Sequence, residues 1–394
     1  MSLPPSPTQR TQRLDSLTGL RWFAALAVFI YHSGQICRVP YIGDYTLYGD
    51  SGVAFFFVLS GFVLAWSFSD ETTMRVFYWR RLVRIWPALV VSVAFAYVAL
   101  HQVWSVARQD VFLAVSLLQA WHPNVLLTGN PVSWSLSAEA FFYLIFPFVI
   151  RPIIKAKPVV LAALAALLVG LDLGFRKWAF DYYLPHHNDT FHLLVVLRIP
   201  PYRVLEFLIG IVVAAAMLRG WRPRIPMSVA LLLVAADVYA IKWAMDQQLL
   251  GMFWWNQLMT PAFAVLIISA AGRDLAGKRS VFRSPSLVAL GTWSYAFYLI
   301  HLTVMKWLEP HVKMVQGERW QNLVPLWTFL SVAVVLSWLC YRFIEHPADK
   351  WLRRIGPKNP RRPAVDAVRV PAPGPLPEPA VVTPVAQGAA AGGR

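Results

Sequence analysis

The sequence predicts an all-α integral membrane protein, a bundle of about ten transmembrane helices with one short interfacial helix. Three observations carry that expectation. Hydrophobic residues make up 57% of the chain and charged residues 14%, whereas soluble domains carry about 25% charged residues. Apolar stretches of roughly 17–25 residues recur, the length that crosses a bilayer at about 1.5 Å per helical residue. Lysine and arginine are dealt into short runs between those stretches, as membrane topology requires. That dispersal excludes nucleic acid as the reason for the net charge of +16. The 18 tryptophans, many near segment ends such as Trp22, Trp66, Trp86, Trp134, Trp243 and Trp307, suit interfacial belts.

The spans are expected near 17–36, 51–69, 85–101, 133–150, 158–175, 198–218, 227–244, 253–271, 286–308 and 323–344. The apolar stretch 111–121 is too short to cross and reads as an interfacial or re-entrant helix. With the N-terminus inside, the cytoplasmic segments hold 24 Lys and Arg residues. The outside loops then hold 6, namely Arg38, Arg108, Arg176, Lys177, Lys313 and Arg319. Were 111–121 to cross, every later loop would invert and the bias would collapse. A multi-pass protein of the cell membrane with both termini cytoplasmic is the consistent expectation.

This layout divides the chain into a cytoplasmic arm at 1–16, a membrane domain at 17–355 and a tail at 356–394. The tail is rich in Pro, Ala and Gly without apolar periodicity, so disorder is expected there. No cleavable signal is evident, and the first apolar run reads as a retained helix. Two cysteines, Cys37 and Cys340, give no disulfide framework.

Several spans carry groups that hydrocarbon penalises. The first holds Arg21 and His32, eleven positions apart; an arginine in that position costs a few kcal/mol unless it faces protein or water. Either both groups face a wet interior, or Arg21 snorkels to one surface and His32 anchors at the other. Ahead of the third span, Arg80, Arg81 and Arg84 fall within about one helical turn. Three guanidinium groups so placed suit a polyphosphate, and equally an ordinary topogenic cluster over lipid phosphates.

The fourth span opens with Ser133, Trp134 and Ser135, and Glu139 follows about one turn later among aromatics. Glu139 is a candidate partner for an imidazole, or a structural acid tied to Arg203 or a serine. In the sixth span, Pro200 and Pro201 precede Arg203 and Glu206, spaced for an i,i+3 ion pair. That pattern reads as an interrupted helix at the mouth of a site, or as a buried structural bridge. The ninth span places Ser294, Tyr298 and His301 on one helical face beside Tyr295. The tenth ends in Arg342, Glu345, His346 and Pro347, charges unremarkable for an interfacial terminus. No metal site is expected: H-x-x-x-H and C-x-x-C are absent, and His186-His187 have only Asp189 nearby.

Taken in order, these stretches resemble the acyltransferase-3 family of multi-span membrane O-acyltransferases. The residues that carry the resemblance are Leu17-Thr-Gly-Leu-Arg21 with His32, Gly52-Val-Ala-Phe-Phe-Phe-Val-Leu-Ser60-Gly61-Phe62, and Arg80-Arg81-Leu-Val-Arg84. Ser133-Trp134-Ser135-Leu-Ser137-Ala-Glu139, Arg203-Val-Leu-Glu206-Phe, Ser294-Tyr295-Ala-Phe-Tyr298-Leu-Ile-His301 and Glu345-His-Pro347 complete the set, across residues 13–355. The resemblance implies a ten-helix core that moves an acyl group, expected to be acetyl or short-chain, from cytoplasmic acyl-CoA to a hydroxyl, usually of a sugar. It implies that Arg21 and His32 are the essential first-helix pair and that Arg81 and Arg84 match the family's R-x-x-R motif. It likewise implies that Glu139 is the acid of the W-S-L-x-x-E block. Acyl-CoA is then a donor substrate and no bound cofactor is expected. The acceptor stays open between a surface glycan, a lipid-linked sugar and a secondary metabolite.

On that footing His32 acts as general base on the acceptor hydroxyl and Glu139 orients or charge-balances the imidazolium. Arg80, Arg81 and Arg84 hold the CoA phosphates, while Arg21 guides the pantetheine end or the developing oxyanion. Ser133, Trp134, Ser135, Arg203, Glu206, Tyr295 and His301 are expected to line the cavity or hold the acceptor. A secondary transporter of a sugar-containing or anionic small molecule is the rival class. A polyprenyl-phosphate glycosyltransferase is a third, weakened by the absence of a D-x-D pair.

Overall fold

A computed structural model describes residues 13–100, 108–127, 129–183, 195–250 and 255–359. Its helices, in chain order, are α1 (Asp15–Ser33), α2 (Gly52–Trp66), α3 (Met74–Leu100), α4 (Arg108–Val115), α5 (Trp134–Lys155) and α6 (Pro158–Trp178). They continue as α7 (Pro200–Leu218), α8 (Met227–Asp246), α9 (Trp255–Leu275), α10 (Pro285–Leu308), α11 (Leu323–Cys340) and α12 (His346–Ile355). Among the described residues, nine helical segments are long and apolar enough to cross a bilayer. The remaining long helix is α1. Its 19 residues include Asp15, Arg21 and His32, and it is not one of those nine. The polar groups of α1 are accommodated because the helix is packed inside the bundle, between α10, α2 and α9.

The 111–121 stretch does not cross. It forms the eight-residue α4 and a separate 3-10 turn at Gln119–Trp121. Residues 1–12 and 360–394 lie outside the described residues, as do His186, His187 and Asp189. So does most of the tail.

The central packing follows from small residues at helix crossings. Where α2 meets α7, a methyl group on Gly61 would stand 1.9 Å from the Phe207 carbonyl oxygen, and one on Gly210 2.0 Å from that of Val58. Two backbones can approach so closely only through glycine, the usual device where lipid gives no hydrophobic drive for association. Between α1 and α10 the seam is aromatic: Trp22 and Phe29 set their rings 5.0 and 5.8 Å from Phe297. The second seam sets α1 against α10. At the periphery, Leu231, Leu232 and Leu233 of α8 are exposed, as a lipid-facing helix requires.

Candidate active site

Six of these helices enclose a cavity of about 430 Å³. At one end it reaches Arg353 of α12, which is exposed, and Arg81 of α3. Arg21, Arg84, Tyr143 and Glu139 line its middle, with Ser60 and Tyr295. Ser135 and Tyr298 line it too, and their hydroxyls lie 2.8 Å apart.

Helix α3 runs unbroken through Pro87, so Arg81 and Arg84 stand one turn apart on one face. Arg81 lies over the rings of Phe77 and Tyr143, 5.6 and 6.0 Å from their centroids. Its Nε is buried without a hydrogen-bond partner among the described residues. Arg84 lies 5.6 Å over the Tyr295 ring and forms an ion pair with Glu345. The three arginines do not act as one cluster. Arg80 is exposed and does not line the cavity; it projects to another side of the helix, into a neighbouring pocket beside Asp70 and Arg151 that Arg81 also borders.

Glu345 overturns the expectation of an unremarkable terminus. Arg342 is exposed, but Glu345 is only 2% exposed. The segment Tyr341–Glu345 is π-helical, and that wider turn shifts the register by which a 3.6-residue repeat assigns faces. Position in the sequence therefore gave no sign that its carboxylate meets Arg84.

Glu139 bonds within the cavity wall, accepting from the Tyr143 hydroxyl and, at 3.3 Å, from Ser60 Oγ. It makes no hydrogen bond to His32. The partner of His32 is His301, whose Nε2 lies 3.0 Å from His32 Nδ1. His301 is fully buried and its Nδ1 faces the backbone carbonyls of Phe297 and Tyr298 at 3.1 and 2.8 Å. The imidazole pair stands just beyond the Tyr298 end of the cavity, one helical turn along α10, and neither ring lines it.

The other expected cavity residues divide. Ser135 and Tyr295 line the cavity. Ser133 does not: its hydroxyl donates to the Asn130 carbonyl at 2.7 Å and accepts from Gln119 at 3.1 Å, securing the start of α5. Trp134 and Arg203 border a small separate pocket with Arg176 and Arg198. Arg203 and Glu206 pair at 3.0 Å and both are buried. Pro200 and Pro201 occupy the first turn of α7, where a missing N–H is harmless, so the helix begins there and is not broken. Glu206 thus belongs to a buried bridge. Asp172 and Arg176 of α6 are buried as well, and Arg176 borders the same small pocket as Arg203, so it lies in a helix and not in the outside loop expected for it. Removing it from that loop only sharpens the charge asymmetry.

Among the described residues no group of His, Cys, Asp and Glu is arranged to hold a metal. Comparison with known proteins supplies the class of chemistry. A family model described as an acyltransferase domain matches residues 14–342. The chain belongs to the acyltransferase-3 family.

This acyltransferase is 33% identical over 385 residues to acyltransferase MdmB of Streptomyces mycarofaciens, spanning 90% of this chain and 95% of that protein. It is 24% identical over 366 residues to peptidoglycan O-acetyltransferase OatA of Listeria monocytogenes, 86% of this chain and 56% of that one. A putative O-acetyltransferase of Staphylococcus aureus is 23% identical over 384 residues, 87% and 58% of the two chains. The chain thus spans little more than half of those last two relatives. No solved structure matches. The protein is an acyltransferase of the membrane, acting between an acyl donor and a hydroxyl acceptor. The transporter reading is set aside.

Proposed function

We propose that this enzyme transfers an acetyl or short acyl group from acyl-CoA to a hydroxyl of a sugar-containing acceptor, with His32 as general base. The observation that carries the reading is the grading of the cavity. Guanidinium groups gather at its Arg353 and Arg81 end, and hydroxyls at its Ser135 and Tyr298 end, one turn from the imidazoles.

The chemistry follows that gradient. Arg81 faces the CoA phosphates, where charge-assisted hydrogen bonds to phosphate are strong, while Arg353, held by the Asp349 carboxylate at 2.8 Å, borders the entrance. The pantetheine arm extends past Arg21 and Arg84, and the thioester stops near Ser135 and Tyr298. His32 takes the proton of the acceptor hydroxyl as its oxygen attacks the thioester carbonyl. The tetrahedral intermediate collapses, the carbon–sulfur bond breaks, and the proton passes to the departing thiolate. General-base assistance of this kind is typically worth 10²–10⁴-fold. Glu139 contributes through Tyr143 and Ser60, as a positioning acid along the donor path, and not as the counter-charge of His32.

The charge asymmetry of the loops supports an orientation with both termini and the Arg81 end cytoplasmic, where acyl-CoA is held. The sugar acceptor is supported by the name of the Listeria relative, a peptidoglycan O-acetyltransferase. The test is direct. Purified protein is incubated with acetyl-CoA and sugar acceptors while free thiol and acetylated product are followed. His32→Ala is expected to abolish both without loss of expression; near-normal transfer by that variant removes the base assignment.

A further inference from the structure

The contact between His32 and His301 decides where each proton sits. His301 Nδ1 faces two backbone carbonyl oxygens, those of Phe297 and Tyr298. A carbonyl only accepts, so Nδ1 carries the hydrogen, and a neutral imidazole has only one. His301 Nε2 is therefore an acceptor. It points at His32 Nδ1, which also faces the Val28 carbonyl at 3.0 Å, again an acceptor only. His32 Nδ1 must then carry its own hydrogen, and the lone pair of His32 is left on Nε2.

We infer that His301 is a positioning residue that holds His32 in the tautomer whose Nε2 is free to take the acceptor's proton. The inference rests on the reading of His32 as the base. In many hydrolases a carboxylate performs this orienting task; here a second imidazole stands in its place. Among the described residues neither imidazole bonds to a carboxylate, so the imidazolium that forms on proton uptake has no direct carboxylate partner there. Its Nδ1–H donates to His301 Nε2 instead, and a shift of that proton puts the charge on His301, against the two carbonyls of α10. A cation so weakly countered returns its proton readily, as the departing thiolate requires.

The primary test needs no turnover. Protein labelled with ¹⁵N at histidine is placed in nanodiscs, and the His32 signals are assigned by their loss in His32→Ala. Wild-type protein is expected to show both His32 and His301 as Nδ1–H tautomers. An Nε2–H tautomer at His32 overturns the inference. With acetyl-CoA as donor and octyl glucoside as sugar acceptor, His301→Phe is expected to lower kcat about 100-fold, with the KM for acetyl-CoA unchanged. His301→Gln keeps an acceptor oxygen within reach of His32 and is expected to recover kcat to within about tenfold of wild type. Equal losses in the two variants mean that His301 only fills space, and the inference fails. An inactive His32→Ala beside a fully active His301→Phe likewise sinks this inference and leaves the base reading standing. An active His32→Ala removes both.

Discussion

Arg84 of the third helix is paired with Glu345, the last residue of a π turn near the far end of the chain. The two positions are separated by 261 residues, and the pair ties α3 to the α11–α12 junction at the wall of the cavity. An arginine engaged in this way has less to offer a phosphate than one whose guanidinium is unpaired. Its neighbour Arg81 has an Nε without a hydrogen-bond partner among the described residues and is closer to the second condition.

Glu345→Ala is expected to destabilise the protein by about 3 kcal/mol, because it leaves a guanidinium in the wall without its counter-charge. The double variant Arg84→Met with Glu345→Leu is expected to recover most of that loss, since it removes both charges together. Thermal unfolding in detergent at fixed lipid content measures both. A double variant no more stable than Glu345→Ala contradicts the account.

Arg81→Ala is expected to raise the KM for acetyl-CoA about tenfold, the loss of one charge-assisted phosphate contact. Arg80→Ala is expected to leave it within twofold, because Arg80 is exposed and does not line the cavity. Steady-state kinetics over a range of donor concentrations separates them; equal effects of the two substitutions argue against the assignment of the cavity to the donor.

Ser135→Phe is expected to fill the end of the cavity marked by the Ser135–Tyr298 contact. Donor binding at the Arg81 end should persist while turnover falls by at least 100-fold, since the thioester no longer reaches its reacting position. Isothermal titration with a non-hydrolysable acetyl-CoA analogue, beside a turnover assay, reads the two quantities. Retained turnover with longer acyl chains shows that the acyl group travels elsewhere.

Cys37 follows α1 in a turn and is buried, and this burial, with Glu309 nearby, pushes its thiol up to about 11. Because thiolate is the reactive form, little of it exists near neutral pH. A maleimide is expected to leave Cys37 unlabelled in the native protein and to modify it once detergent-denatured. Mass spectrometry of labelled peptides checks this, and rapid labelling of the folded enzyme disproves the packing of that turn.

Helix positions and the family were legible in the linear chain, because each depends on local composition and spacing. A run such as 227–244 is apolar wherever it is read, and Arg203 and Glu206 meet because three residues make nearly one helical turn. The motifs also singled out the residues that gather at the site. What spacing could not supply was the partnership between helices. Glu139 and His32 looked like a pair, yet Glu139 turns to Ser60 and Tyr143, and His32 to His301 on the ninth span. Arg176 looks like a loop residue because its helix continues past the point where hydropathy fades; there its guanidinium is buried over the Tyr202 ring.

By itself, then, the sequence determined that this chain lives in a bilayer, where its helices run and which polar side chains hydrocarbon would not tolerate. Only the tertiary structure decided which of those side chains answer one another. The reason is physical. A helix period is written into neighbouring residues, whereas the rotation of one helix about another is set by where backbones come closest, as at Gly61 and Gly210, and by turns such as Tyr341–Glu345 that depart from the regular repeat.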